Sequence, residues 1–166
     1  MPRHEYNHSM ALSLGTKAPL FTLKHKTADG MIDVSLADHI GKDIIVLMFV
    51  PGAFTSVCTS QFCQMSNGTQ EIPGAVVYGI TVDSAYCQAA WARDEKITVQ
   101  LLSDFTHSVT QAYDVVLASL SGMGPASLRA AFVIDLGGNI AYSEVTPSTL
   151  DMINFDAIKQ AVAALG

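Results

Sequence analysis

One run of apolar residues, Ile44–Val50, constrains the fold of this chain more than any other stretch. A run this apolar, without alternation, predicts a strand that is buried on both faces of a sheet. Pro51 and Gly52 end that strand, and either Thr55 or Ser56 is a suitable N-cap for a helix that follows. The chain is therefore predicted to fold here as a strand, a sharp turn and a helix.

The predicted helix, which extends to about Asn67, has a cysteine, Cys58, in its first turn. Backbone N–H groups at a helix N-terminus lack intrahelical partners, and the helix dipole is positive there. Both effects favour a thiolate over a thiol, so the sequence predicts an activated cysteine. A cysteine taken alone is more often a small buried hydrophobic residue, so this interpretation depends on the residues around it.

The rest of the chain alternates strands and helices around this element. A second apolar strand, Val76–Val82, is followed by a helix capped by Asp83 or Ser84, which predicts parallel strands joined by helices. The order of elements predicts an α/β fold, a three-layer α/β/α sandwich with an N-terminal β-hairpin, and this arrangement resembles the thioredoxin fold. The other predicted elements are strands at Ala18–Leu23, Met31–Val34, Val99–Leu102, Arg129–Asp135 and Ile140–Val145, hairpin turns at Asp29-Gly30 and Gly137-Gly138-Asn139, short helices at Leu36–Ile40 and Thr106–Tyr113, a loop at Ser119–Ser127 and a last helix at Asp151–Leu165.

The length of 166 residues suffices for one domain with a sizeable core. The periodic pattern begins near Leu12, so residues 1–11 are predicted to be a flexible N-terminus and residues 12–166 a single domain. Residues 1–11 lack the apolar segment of a signal peptide, which predicts a cytoplasmic protein. No apolar run approaches the roughly 20 residues of a membrane span. A net charge of −6 without a basic patch disfavours nucleic acid and anionic membranes as partners.

The chain has three cysteines, Cys58, Cys63 and Cys87. A secreted disulfide framework usually has a larger and even number, so reactive or buried thiols in a reducing compartment are expected. A zinc site is not expected, because no second pair of cysteines or histidines has ligand spacing. The glycines at 122 and 124 lack the lysine and the strand–helix context of a nucleotide loop. The sequence therefore predicts no metal and no organic cofactor.

Three residues at the turn have a fixed spacing: Pro51, then Thr55 four residues later and Cys58 seven residues later. They match the motif P-x-x-x-T/S-x-x-C, and with it the chain resembles the peroxiredoxin family, also called the AhpC/TSA redoxins. The segment Leu128–Asp135 is similar to the later strand on which this family has an arginine, so Arg129 is the corresponding residue. The resemblance extends from about residue 12 to residue 165.

This resemblance implies a chemical role for each of the four residues. Cys58 attacks a peroxide oxygen as a thiolate and becomes a sulfenic acid. Arg129 and Thr55, together with backbone N–H groups at the start of the helix, stabilise the thiolate and hold the peroxide oxygens. Pro51 has no N–H and covers the pocket with apolar surface. Outside this context Thr55 would be only an N-cap, Pro51 a strand terminator and Arg129 a surface ion-pair residue.

Cys63 follows Cys58 by five residues, which is the spacing of the PrxQ subfamily. The resemblance therefore implies that Cys63 resolves the sulfenic acid as an intramolecular disulfide. Residues five apart in a helix have Cα atoms roughly 8–9 Å apart, and a disulfide needs less than ~7 Å, so the first turns of the helix would have to unwind. Cys87 is the alternative resolving residue, although packing alone also accounts for it. The C-terminal half, from Tyr113 onward, resembles the Tpx subfamily instead, so the subfamily stays open.

The sequence thus predicts a cytoplasmic, thiol-dependent peroxidase that reduces hydrogen peroxide and alkyl hydroperoxides. The resemblance further implies recycling by thioredoxin or a similar dithiol protein, with a homodimer as a possible assembly. Two other classes use the same residue types. One is a thiol–disulfide oxidoreductase, which the C-x4-C spacing disfavours, and the other is a non-catalytic peroxide sensor or redox relay.

Overall fold

The computed structural model describes residues 12–166, so the prediction of a flexible N-terminus for residues 1–11 lies outside the described residues. The strands within residues 12–166 are β1 (Thr22–Lys26), β2 (Met31–Ser35), β3 (Ile45–Phe49), β4 (Val76–Thr81), β5 (Gln100–Ser103), β6 (Val116–Leu117), β7 (Ala126–Ser127), β8 (Ala130–Ile134) and β9 (Ile140–Val145). The helices are α1 (Ser56–Ser66), α2 (Ala85–Glu95), α3 (Ser108–Ala112) and α4 (Phe155–Ala163), and a 3-10 turn covers Leu36–His39.

A seven-stranded sheet has the strand order β2-β1-β5-β4-β3-β8-β9. Its centre is parallel, because β3 pairs with β4 and β4 pairs with β5 in the same direction, with a helix in each connection. On the other side of β3 lies β8, which is antiparallel and has Ala130 opposite Phe49. The predicted N-terminal hairpin is present as β1–β2, and it forms the far edge of the sheet. One end of the sheet, where the parallel strands terminate, therefore holds the end of β3, the start of α2 and the start of β8.

Both faces of the central strand β3 are covered. Its alternate residues point to opposite faces, with Ile45, Leu47 and Phe49 in one apolar cluster and Val46 and Met48 in the other. All five are at most 1% exposed, which confirms the predicted buried strand. The second cluster includes Phe62 of α1, Trp91 of α2 and Ile158 of α4, and the first includes Leu36 of the 3-10 turn and Val109 of α3. Helices thus cover both faces, which confirms the predicted three-layer α/β/α sandwich.

Helix α1 packs closely against the sheet because β4 has a glycine beneath it. A Cβ atom on Gly79 would lie 2.6 Å from Phe62 Cζ and 2.8 Å from Leu101 Cδ2. Both distances are shorter than van der Waals contact, so a larger residue would push the helix away from the sheet. Since Phe62 lies one helical turn after Cys58, this packing fixes the position of the cysteine relative to the sheet.

The predicted start of the first strand is wrong. Strand β1 begins at Thr22 and not at Ala18. Pro19 has no N–H to donate to a ladder, and the Ala18 N–H donates instead to Gly138 O (3.0 Å) at the opposite edge of the sheet. This contact ties the segment before β1 to the turn between β8 and β9.

Two predicted boundaries in the C-terminal half are also wrong. Helix α4 begins at Phe155 and not at Asp151, because the Asn154 side chain caps it by accepting a backbone N–H of the first turn (3.0 Å). The predicted loop Ser119–Ser127 ends in strand β7, which pairs with β6 in a separate two-stranded ladder. The strong capping residue and the short ladder therefore set these boundaries.

No helix between residues 12 and 166 is both long and apolar enough to cross a bilayer. Over the same residues, no three side chains of His, Cys, Asp or Glu cluster as potential ligands of a metal ion.

Candidate active site

Cys58 lies in the first turn of α1, directly after strand β3 and the turn that follows it. Its side chain is only 1% exposed, and Pro51 and Gly52 in the turn are buried as well. The observed strand, turn and helix are those predicted from the sequence. They place the sulfur at the N-terminus of a helix, where backbone N–H groups have no partner within the helix.

Thr55 is the N-cap residue of α1, with an extended backbone (φ −78°, ψ 150°). Its hydroxyl does not cap the helix but donates to Gly52 O (2.8 Å) across the turn. Its carbonyl accepts the Thr59 N–H (2.9 Å), which begins the helical ladder. Of the two predicted cap positions Thr55 is therefore the observed one, and the N–H groups of the first turn are not capped by its side chain.

The turn before α1 is held by two residues outside the predicted motif. The carboxylate of Asp83, two residues after the end of β4, accepts the Ala53 N–H (2.8 Å). Phe54 has a left-handed backbone (φ 61°), which is rare for an aromatic residue, and its ring lies 6.4 Å from that of Trp91. The surrounding contacts stabilise this strained conformation. The sequence suggested either Asp83 or Ser84 as the N-cap of α2. Ser84 is the observed cap, which leaves the Asp83 carboxylate available for the Ala53 N–H.

Arg129 immediately precedes β8, one residue outside the strand in which the sequence placed it. Because β8 is antiparallel to β3 with Ala130 opposite Phe49, Arg129 lies at the end of the sheet where the turn begins. The arginine side chain is buried (1% exposed), and its Nη2 donates to Cys58 Sγ at 3.3 Å. The structure therefore brings the two predicted residues into direct contact, and Arg129 is not a surface residue.

Two further groups bind the guanidinium, and both were missed in the sequence. Nη1 of Arg129 donates to Gln61 Oε1 (2.8 Å), while Nη2 and Nε donate to the carbonyl oxygen of Thr149 (2.9 and 3.3 Å). Gln61 is fully buried and lies three residues after Cys58, on the same face of α1. A glutamine on a buried helical face was a usable signal, because a buried amide needs partners. The Thr149 contact uses a backbone carbonyl, for which no side chain gives a signal.

The other two cysteines lie elsewhere in intact helices, and all three are free thiols. Cys63 is partly buried in α1, and its Sγ donates to Glu95 O at 3.5 Å. Burial, followed by the Glu95 carboxylate, raises the pKa of Cys63. Cys87 lies in the first turn of α2, where burial and then Asp83 raise its pKa. With α1 intact, Cys58 and Cys63 are five residues apart in a helix and too distant for a disulfide.

Most of this chain is similar in sequence to the proteins of one known family. Residues 14–143 match the model of the AhpC/TSA family. A thiol peroxidase from Listeria monocytogenes serotype 4b (strain F2365) is 32% identical over 150 residues, which are 89% of this chain and 86% of that protein. The chloroplastic 2-Cys peroxiredoxin BAS1 of Hordeum vulgare is 30% identical over 141 residues, which are 80% of this chain but only 65% of the relative.

A solved structure gives the same result for the fold. The reduced 2-Cys peroxiredoxin of Plasmodium vivax superposes with a TM-score of 0.78 at 28% identity, over 91% of this chain and 94% of that one. The family model matches most of the chain, and this chain therefore belongs to the AhpC/TSA family. The family suggested by the spacing of Pro51, Thr55 and Cys58 is thereby confirmed.

Proposed function

We propose that this chain is a thiol-dependent peroxidase in which Cys58 is the reacting thiol. The observation that carries the proposal is the 3.3 Å contact between the buried Arg129 guanidinium and Cys58 Sγ at the N-terminus of α1. A cation and a helix N-terminus both stabilise a thiolate, which is the form that attacks a peroxide. Membership of the AhpC/TSA family and the named relatives, a thiol peroxidase and a 2-Cys peroxiredoxin, support the same activity.

In the proposed reaction the Cys58 thiolate attacks the terminal oxygen of hydrogen peroxide or an alkyl hydroperoxide. The O–O bond breaks, and the second oxygen leaves with the bonding electron pair as hydroxide or alkoxide. A proton from solvent then converts it to water or an alcohol. The attacked oxygen stays on sulfur with its hydrogen, so the cysteine is oxidised to a sulfenic acid while the peroxide is reduced.

The groups around the sulfur supply donors for this step. Arg129 Nη2 and the N–H groups of the first turn of α1 are placed to stabilise negative charge as it moves from sulfur to the leaving oxygen. The Thr55 hydroxyl donates to Gly52 O in the structure, and we propose that it turns to the peroxide when substrate binds. Buried Pro51 adds apolar surface and no N–H donor to the turn.

The test uses a variant with Cys58 as its only thiol, made by Cys63→Ser and Cys87→Ser. One equivalent of hydrogen peroxide should be consumed per chain, and dimedone should trap the sulfenic acid as an adduct located by mass spectrometry. The same variant with Cys58→Ser should consume none, and retained consumption would refute the central claim. Arg129→Lys keeps the charge but loses the fork of donors, so it should react more slowly and still form the adduct.

We further propose that the Cys63 thiol attacks the sulfenic acid, which forms a disulfide and releases water. Thioredoxin or a similar dithiol protein then reduces the disulfide by exchange. Cys87 is the alternative partner, so Cys63→Ser and Cys87→Ser should be compared in steady-state turnover with thioredoxin. The variant that stalls as sulfenic acid identifies the resolving residue. Turnover without dependence on peroxide would indicate an oxidoreductase, and slow turnover relieved by another protein would indicate a relay.

The cytoplasmic location and the homodimer stay predictions. Cell fractionation tests the first, and sedimentation of the reduced protein tests the second.

A further inference from the structure

A cleft lies between helix α2, the β1–β2 hairpin and the segment 97–101, which includes the start of β5. It is lined by none of the residues that surround Cys58 in the structure. Its volume of about 830 Å³ is in the range of small-molecule sites, roughly 300–1,000 Å³. The side of α2 that lines it includes Ala89, Ala90 and Ala92. Alanine has no side chain beyond Cβ, so the helix leaves open a space that larger residues would fill.

The charged residues that line this cleft are cationic. Lys26 and Arg93 line it, and no Asp or Glu of the described part of the chain does, although the chain has 15 acidic residues against 9 basic ones. Lys26 Nζ donates to the Thr27 carbonyl oxygen (2.6 Å) and takes part in none of the ion pairs found among residues 12–166. Arg93 pairs with Asp94 (2.9 Å), but both side chains are at least half exposed, and an exposed pair contributes little. The cleft is therefore complementary to an anion.

Gln88 of α2 lines the cleft and has one polar atom without a partner. It is 2% exposed, and its Nε2 donates to Thr81 Oγ1 (2.9 Å) and to Leu102 O (2.8 Å). These bonds fix the orientation of the amide, since reversal would turn its oxygen toward the Leu102 carbonyl. Oε1 accepts no hydrogen bond from the residues that the structure describes. A buried polar atom of this kind needs a donor, so Oε1 is the acceptor that this side chain has left for a ligand.

We propose that the cleft binds a small amphipathic anion that has an apolar body, one acidic group and one N–H or O–H donor. Lys26 and Arg93 pair with the acidic group, and Gln88 Oε1 accepts from the donor. The apolar body packs against Ile32 and Ile97. Ile32, on edge strand β2, is 43% exposed, so a ligand there removes apolar surface from water. This site is separate from the peroxide site and does not depend on the proposed function.

The test uses two fluorescent probes. Anilinonaphthalene sulfonate has an anionic group, aromatic rings and one N–H donor, and N-phenylnaphthylamine lacks only the sulfonate. Each probe is titrated into the reduced chain, and its emission should give saturable binding of one molecule per chain. Ala89→Leu fills the cleft and should abolish the binding of both probes. Ala163→Leu, at an exposed position at the end of α4, is the matched control and should leave both affinities unchanged.

Variants of the cations and of the amide separate their contributions. Lys26→Gln should weaken binding of the sulfonate probe about threefold, and adding Arg93→Gln should bring the loss to about tenfold, with no change for the uncharged probe. Lys24→Gln, on the same strand but outside the cleft, is the matched control. Gln88→Met keeps the volume without the amide oxygen and should weaken both probes about fivefold. Circular dichroism and urea denaturation check the fold of each variant.

Absence of saturable binding would overturn the proposal. Binding that Ala89→Leu leaves unchanged would also overturn it, since the probes would then occupy another surface. The same holds if Gln88→Met leaves both affinities unchanged, or if the double variant of Lys26 and Arg93 binds the sulfonate probe as tightly as the wild type. Neither cation is buried, so that variant keeps the test open even if a substitution inside the cleft prevents folding. Probe binding needs no peroxide, so this proposal and the proposed function fail independently.

Discussion

Formation of a disulfide between Cys58 and Cys63 should unwind the first turns of α1. The two residues are five apart in an intact helix, which puts their Cα atoms roughly 8–9 Å apart, and a disulfide needs less than ~7 Å. The perturbation is one equivalent of hydrogen peroxide, added to a Cys87→Ser variant that retains the other two thiols. We expect sulfenic acid first and the disulfide only after the helix has opened.

The contacts that are lost when the helix opens determine the free-energy cost of opening. Trp91 Nε1 donates to Thr59 Oγ1 (3.0 Å), and the ring of Trp91 lies 5.7 Å from that of Phe62, which is 0% exposed. Exposing the phenylalanine, parting the rings and losing the hydrogen bond together cost about 3–5 kcal/mol. The reduced chain should therefore be open in about one molecule in 200 to one in 5,000.

Tryptophan fluorescence can follow the opening of α1, because Trp91, which contacts this helix, is the only tryptophan in the chain. Stopped-flow emission should show a first phase whose rate is proportional to peroxide concentration and a slower second phase that is independent of it. Cys63→Ser should abolish only the second phase. Hydrogen exchange of the oxidised chain should show lost protection in α1. If mass spectrometry finds the disulfide while emission and exchange in α1 stay unchanged, the helix does not unwind and the reasoning is refuted.

Three other substitutions test the packing and the turn. Gly79→Ala should lower the free energy of unfolding by about 1–3 kcal/mol in urea denaturation, because its Cβ would lie 2.6 Å from the Phe62 ring; an unchanged midpoint would contradict this packing. Burial raises the pKa of Tyr113, so the native state keeps the phenol proton while the unfolded chain ionises above about pH 10. Above that pH, the free energy of unfolding of the wild type should fall by about 1.4 kcal/mol per pH unit relative to that of Tyr113→Phe. If both proteins lose stability equally at alkaline pH, the pKa of Tyr113 is not raised by burial. Asp83→Ala should slow the reaction with peroxide by about tenfold to a hundredfold, because the turn before α1 loses the hydrogen bond to Ala53. The matched cap variant Ser84→Ala should lower the free energy of unfolding by about 1 kcal/mol and leave the rate unchanged.

The parts of the site that the sequence predicts are those that depend on local pattern. The apolar run, Pro51 and a capping threonine define the strand, the turn and the first turn of α1, so the position of Cys58 follows from neighbours in sequence. Arg129 is distant in sequence and was assigned only because Leu128–Asp135 resembles a strand of the family. The antiparallel pairing of β8 with β3 is what brings it to the turn. Its burial and its direct contact with the sulfur depend on packing, and only the structure shows them.

The parts that were missed depend on side-chain direction after packing. Asp83 is equally suited to cap α2 or to bind the turn, and the choice was decided by Ser84, which occupies the cap. The Thr55 hydroxyl points across the turn to a carbonyl, although a threonine at an N-cap usually bonds the helix. Gln61 was also missed, although its spacing of three residues from Cys58 puts both residues on one buried face of α1, where an amide needs a hydrogen-bond partner.

The contacts of Arg129 connect the chemistry at Cys58 with the opening of α1. Nη2 and Nη1 bind Cys58 and Gln61, which both lie in the part of the helix that would have to unwind for a Cys58–Cys63 disulfide. While the sulfur is a thiolate, a buried ion pair holds this part of the helix in place, and Gln61 adds only a neutral hydrogen bond. Conversion to a sulfenic acid removes the negative charge and leaves the buried guanidinium uncompensated, which is unfavourable in the closed state. Oxidation of the sulfur is therefore expected to weaken the contact that keeps Cys58 away from Cys63.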